Sequence, residues 1–164
     1  MAANLAQQIG WKVRMADPPK LNRTQWQLSS LAGVVLIVMA LLQLASFTDF
    51  KSSLTAMGLK GATAWGIVIV LVELWAAAGF FALRLSYFFR MVSAGLAILV
   101  SGFWFIENLQ LVSSGSSIST SDFFGRFLRQ APGWWSIVEA SLFLFWVIFV
   151  LGLAKDAAPQ TKRK

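Results

Sequence analysis

The sequence predicts an all-α fold, a polytopic membrane protein built as a four-transmembrane-helix bundle with short interfacial helices. Three observations predict it. Of 164 residues, 57% are hydrophobic and only 13% are charged, a composition outside the range of ordinary soluble domains. Four apolar runs, at about residues 25–47, 61–83, 91–112 and 134–154, are each long enough to cross a bilayer, which takes about 20 mostly apolar residues. The basic residues lie at the chain ends and in the gaps between these runs, where they act as orientation signals. The formal charge of +7 is therefore a topology signal. It is not the footprint of a nucleic-acid partner, which would need a basic face with interleaved aromatics.

Residues 1–23 form a basic tail with Lys12, Arg14, Lys20 and Arg23 against Asp17. Residues 3–15 either lie on the membrane surface as a short helix through Leu5, Ile9, Trp11 and Val13, ended by Pro18 and Pro19, or form a disordered tail. No early signal peptide is expected, because these residues are polar and the first apolar run is too long for a signal core. The membrane domain occupies residues 24–154. Its first span carries Trp26 as an interfacial anchor and Gln43 as a lone polar side chain near its far end. In the loop of residues 48–60, Phe50, Leu54 and Met57 or Leu59 recur at near-helical spacing, as expected of a short amphipathic helix on the outer interface.

The second span holds Glu73 near its midpoint among Gly66, Ala76, Ala77, Ala78 and Gly79. Small residues let helix backbones approach closely in a membrane bundle. Residues 84–90 are a tight connector bearing Arg84 and Arg90, so the second and third spans are antiparallel neighbours. Along the third span, Ala94, Ala97, Ser101, Trp104 and Asn108 fall on one stripe at alternating three- and four-residue steps, a packing seam. The Ser-rich stretch of residues 113–121 is flexible by composition. Beyond it, Phe123, Phe124, Phe127 and Leu128 beside Arg126 and Arg129 predict an interfacial helix. Pro132 and Gly133 end it, Trp134 and Trp135 mark the interface again, and the fourth span follows. Residues 155–164 form a second basic tail.

Orientation follows from the basic residues. With the N-terminus inside, ten of the fourteen (Lys12, Arg14, Lys20, Arg23, Arg84, Arg90, Lys155, Lys162, Arg163 and Lys164) are on the inner side. The other four, Lys51, Lys60, Arg126 and Arg129, are outside. The positive-inside rule therefore places both termini in the cytoplasm.

The chain contains no cysteine and no histidine. That excludes thiol–disulfide exchange, thiolate nucleophiles, the usual zinc sites and His-ligated haem. What remains for chemistry is a set of polar groups inside apolar spans: Glu73, Glu107, Glu139, Gln43 and Asn108. Glu107 lies about five residues before the outer end of its span and Glu139 about five after the outer start of the next. At 1.5 Å per residue both fall ~8 Å below the boundary. Gln43 and Asn108 belong to the same layer, and Glu73 is deeper, giving an outward-facing polar pocket closed toward the inside. A buried membrane charge should face protein or water. Such carboxylates can relay protons, hold a hard, oxygen-favouring cation, or hydrogen-bond the head of a small ligand such as a quinone. Alternatively, each acid pairs with an Arg, a Trp N–H or a backbone group and fixes helix register.

Two stretches carry a resemblance. Residues 41–61, LLQLASFTDFKSSLTAMGLKG, are a span end followed by an F-x3-L-x3-G loop, and residues 72–90, VELWAAAGFFALRLSYFFR, put Glu73 in a small-residue second span ahead of a basic connector. The region of residues 31–112 resembles the DoxX-like family of four-helix bacterial membrane proteins, close to its MauE-type redox-associated group. The resemblance implies a four-helix bundle in a bacterial inner membrane. It also implies association with thiosulfate- or sulfur-linked electron transfer to quinone, or with maturation of a periplasmic redox protein. Four-helix redox proteins of the DsbB and vitamin-K-reductase kinds work through cysteines, and small multidrug transporters place their membrane Glu in the first helix; neither pattern is present. The reading is an accessory subunit of a membrane redox or other multisubunit complex. A small proton-coupled or ion-binding transporter and a purely structural assembly subunit are the alternatives. No cofactor is fixed; quinone and lipid are the candidates. The expected partners are membrane lipid and other membrane protein subunits.

Overall fold

The computed structural model describes residues 15–16, 20–81, 83, 85–113 and 133–156. In chain order the elements are β1 (Met15–Ala16), α1 (Arg23–Ala45), α2 (Phe47–Ala56), α3 (Ala62–Phe80), β2 (Leu85–Ser86), α4 (Tyr87–Ser113) and α5 (Trp134–Asp156). The helices α1, α3, α4 and α5 are each long and apolar enough to cross a membrane. The protein is an all-α four-helix membrane bundle.

Local chemistry sets most helix ends. At the start of α1, Asn22 Oδ1 accepts from the Gln25 N–H at 2.8 Å while Gln25 Oε1 accepts from the Asn22 N–H at 3.0 Å. This reciprocal box satisfies two donors that have no partner within the helix. α1 stops at Ser46, whose backbone leaves the helical region (φ −121°, ψ 37°), and α2 starts at the next residue. α2 ends in a Schellman motif: Leu59 N–H donates to Leu54 C=O and Gly58 N–H to Thr55 C=O, with Gly58 at φ 85°. Gly61, at φ 75°, precedes α3. α3 ends at Phe80 because Phe81 is extended, so the second span is shorter than the expected 61–83. The freed Phe80 carbonyl accepts from Ser29 Oγ of α1 at 2.6 Å.

The connector expected at residues 84–90 is mostly helix. Ser86 Oγ accepts from the Phe89 N–H at 3.1 Å, an N-cap that lets α4 begin at Tyr87 instead of residue 91. Before it, β2 pairs antiparallel with β1, so Met15 and Ala16 are neither helical nor loose. The rest of the proposed surface helix at residues 3–15 lies outside the described residues. So do the proposed interfacial helix with Arg126 and Arg129, residues 114–121 of the Ser-rich stretch, and most of both tails.

Packing follows the chain. α1 lies on α3, α3 on α4 and α4 on α5, while α1 and α5 share a slighter seam. Each span buries one stripe. On α3 it is Gly66, Ile69, Val70, Glu73, Ala76 and Ala77. On α5 it is Ser136, Ala140, Phe143, Val147 and Val150, a strict alternation of four- and three-residue steps. The opposite faces carry large exposed apolar side chains such as Leu99, Leu142 and Phe145, as a lipid-facing surface requires. α2, expected to lie on a membrane interface, packs into the bundle instead: Phe50 and Leu54 have no exposure at all, and the helix packs on α3.

Candidate functional site

α1, α3 and α4 each send one polar side chain to a common point. Glu73 Oε1 accepts from Gln43 Nε2 at 3.2 Å and from Trp104 Nε1 at 3.0 Å. All three residues have zero exposure. Each stands on its helix's buried stripe, Gln43 one turn beyond Met39 and Ala40, and Trp104 one turn beyond Val100 and Ser101. Glu73 Oε2 is also buried and has no hydrogen-bond partner. Among the described residues Glu73 is the only ionisable group in the buried set, so both groups that hold its carboxyl are neutral.

The site is covered by aromatic rings. Phe50 of α2 packs its ring 6.1 Å from that of Trp104, at a tilt of 37°, and Phe103 meets Trp104 edge-on at 5.3 Å. Asn108, one turn further along α4, donates to the Trp104 carbonyl at 2.7 Å and keeps its Oδ1 buried without a partner. The arrangement joins three helices through one carboxyl oxygen in a medium where each unsatisfied polar group is costly.

Four of the five residues in the sequence stripe on α4 (Ala97, Ser101, Trp104 and Asn108) are buried; Ser93 replaces Ala94 as the innermost member. The expected depth layering does not hold. Gln43 does not sit above Glu73 but at hydrogen-bonding distance from it. The reason is the break at Ser46. α1 ends two residues beyond Gln43, whereas α3 runs eleven residues from Glu73 back to Ala62, about 16 Å at 1.5 Å per residue, and α2 packs along that stretch, with Phe47 and Leu54 against Gly66. Nor do the three acids converge. Glu107 is half-buried on the flank of α4 and Glu139 is exposed on α5. No group of three His, Cys, Asp or Glu side chains able to hold a metal ion exists among the described residues. Among the described residues, then, the carboxylates form no cluster.

The interfacial tryptophans are exposed: Trp26 on the first turn of α1, and Trp134 with Trp135, whose rings stack at 4.2 Å at the start of α5. The residue that sequence reasoning undervalued is Trp104. Its spacing puts it on the packing seam, and its N–H is also one of the two donors to Glu73. The available signal was its position, a tryptophan on a stripe otherwise made of Ala, Ser and Asn. No protein-family model, no curated protein and no solved structure matches the chain.

Proposed function

We propose that the chain is an accessory subunit of a multisubunit membrane complex, DoxX-like in organisation, serving a quinone- or sulfur-linked redox partner in a bacterial inner membrane. Both termini are then cytoplasmic. The observation that carries this reading is the single-point junction of α1, α3 and α4 at Glu73 Oε1. A carboxyl held by two neutral donors from two other helices fixes helix register in a chain with no thiol or imidazole of its own. A scaffold of this kind contributes a shaped membrane surface to an assembly rather than turnover. The wide apolar exterior, with Leu99, Leu142 and Phe145 among its most exposed members, suits lipid and neighbouring subunits alike. Native mass spectrometry of the protein extracted in mild detergent tests it. A complex with other membrane subunits is expected; a lone, stable monomer that turns over a substrate overturns it.

The unpartnered Oε2 of Glu73 favours one second reading, a proton-coupled transporter. Purified protein in liposomes that dissipates an imposed proton gradient, and loses this with Glu73→Gln, would establish that reading in place of the first.

A further inference from the structure

We infer that Glu73 is a proton-binding site, loaded on Oε2 and presenting Oε1 as the carbonyl oxygen that Gln43 and Trp104 grip. The hydrogen-bond pattern points to it. An ionised carboxylate spreads its charge over two equivalent oxygens, and both attract donors. Here both donors go to Oε1 and none to Oε2. That asymmetry matches a carboxylic acid, in which one oxygen is a carbonyl acceptor and the other carries hydrogen.

Among the described residues the surroundings supply no countercharge. Gln43 is the only polar residue that α1 directs to this point, and it is neutral. On α2, Lys51 is exposed and Asp49 is half-buried, outside the core. On α3 itself Glu73 is the only ionisable residue. Glu107 of α4 is half-buried and Glu139 of α5 exposed. Arg90, at the inner end of α4, spends its guanidinium on the Leu83 carbonyl. A hard metal cation needs about six or more oxygen ligands, and the described residues gather no such set. On one side of the triad Met39, Ala40, Ala76, Ala77 and Ser101 have zero exposure, and on the other Ile69, Val70 and Asn108 are buried, so Oε2, itself buried, is shielded from bulk water. A proton is the one countercharge that needs neither volume nor further ligands.

This rests on the geometry of one side chain and not on the accessory-subunit reading, and its test uses the isolated protein. Infrared spectra of the purified full chain in lipid nanodiscs are recorded in H2O and D2O. A carbonyl stretch of a protonated carboxylic acid is expected in the wild type, shifting down in D2O and vanishing in Glu73→Gln. Trp104→Phe removes one donor from Oε1, so the band should move to higher frequency, because hydrogen bonding weakens the C=O bond. That variant keeps the assignment testable if Glu73→Gln does not fold. A wild-type spectrum with no such band from acidic to alkaline pH overturns the inference, as does a band that Trp104→Phe leaves in place. A band in a protein that native mass spectrometry shows to be a solitary monomer would defeat the accessory reading alone.

Discussion

At Gly79 the contact between α3 and α4 leaves no room for a side chain. A methyl group there would lie 2.5 Å from Cβ of Ser93, far inside any van der Waals contact. Overpacking of this kind costs about 1–3 kcal/mol, so Gly79→Ala should lower stability by that amount in reversible unfolding from detergent. Adding Ser93→Gly removes the opposing carbon and should restore much of the loss. Gly95 on the outer face of α4 has nothing within 4 Å of such a methyl, and Gly95→Ala should show no comparable loss. A second prediction concerns the triad. Leaving a buried acceptor short of a donor costs about 1–3 kcal/mol, so Gln43→Leu should destabilise the wild type by roughly that. In a Glu73→Leu background the same change loses no hydrogen bond to the carboxyl. The double-mutant cycle should therefore show a coupling on the order of 0.5–3 kcal/mol; additive effects would mean that the two side chains do not act together. Glu73 was legible in the sequence because a single acid amid a long apolar run has few explanations. Trp104 was not, since a tryptophan in a membrane helix usually serves as bulk, and only three-dimensional packing shows where its N–H points.

α2 is the element that the sequence assigns to an interface and the structure packs on α3. Its apolar residues recur on one side, and that spacing serves equally well for a helix lying on a membrane surface and for one packed on protein. What decides is the joint at Ser46. With one non-helical residue between α1 and α2, the chain turns back over the bundle, and Phe50 and Leu54 reach zero exposure. Phe50 in turn covers the indole of Trp104. Truncating a buried Phe costs about 3–5 kcal/mol, so Phe50→Ala should be among the most destabilising single changes in the chain, in the same unfolding assay. A surface helix would tolerate it with little effect, and that outcome would reject the packed placement. The end of α2 gives a milder check. Gly58 adopts φ 85° with open space around it, so Gly58→Ala meets no clash and only the left-handed backbone penalty, about 1–2 kcal/mol. The F-x3-L-x3-G spacing is thus legible in physical terms: two buried apolar contacts one turn apart, then a helix stop.

For the whole molecule, four spans and their order were legible because length and apolarity alone satisfy the bilayer's demand for internally bonded backbone. Depth was not. Counting residues from predicted span ends put Gln43 above Glu73, and the count failed because a helix break moved one end without changing composition. Sidedness is a separate matter that depends on charge, with ten basic residues assigned inside and four outside. The absence of native cysteine makes it directly testable. Lys60, between α2 and α3, is exposed, and so is Leu83, between α3 and β2; α3 separates them by a full span. Lys60→Cys in intact cells should react with a membrane-impermeant maleimide added from outside. Leu83→Cys should stay unlabelled until the membrane is opened. The reverse pattern would place the termini outside, and labelling of both in sealed cells would mean that α3 does not cross the bilayer, leaving Glu73 without the membrane depth assigned to it.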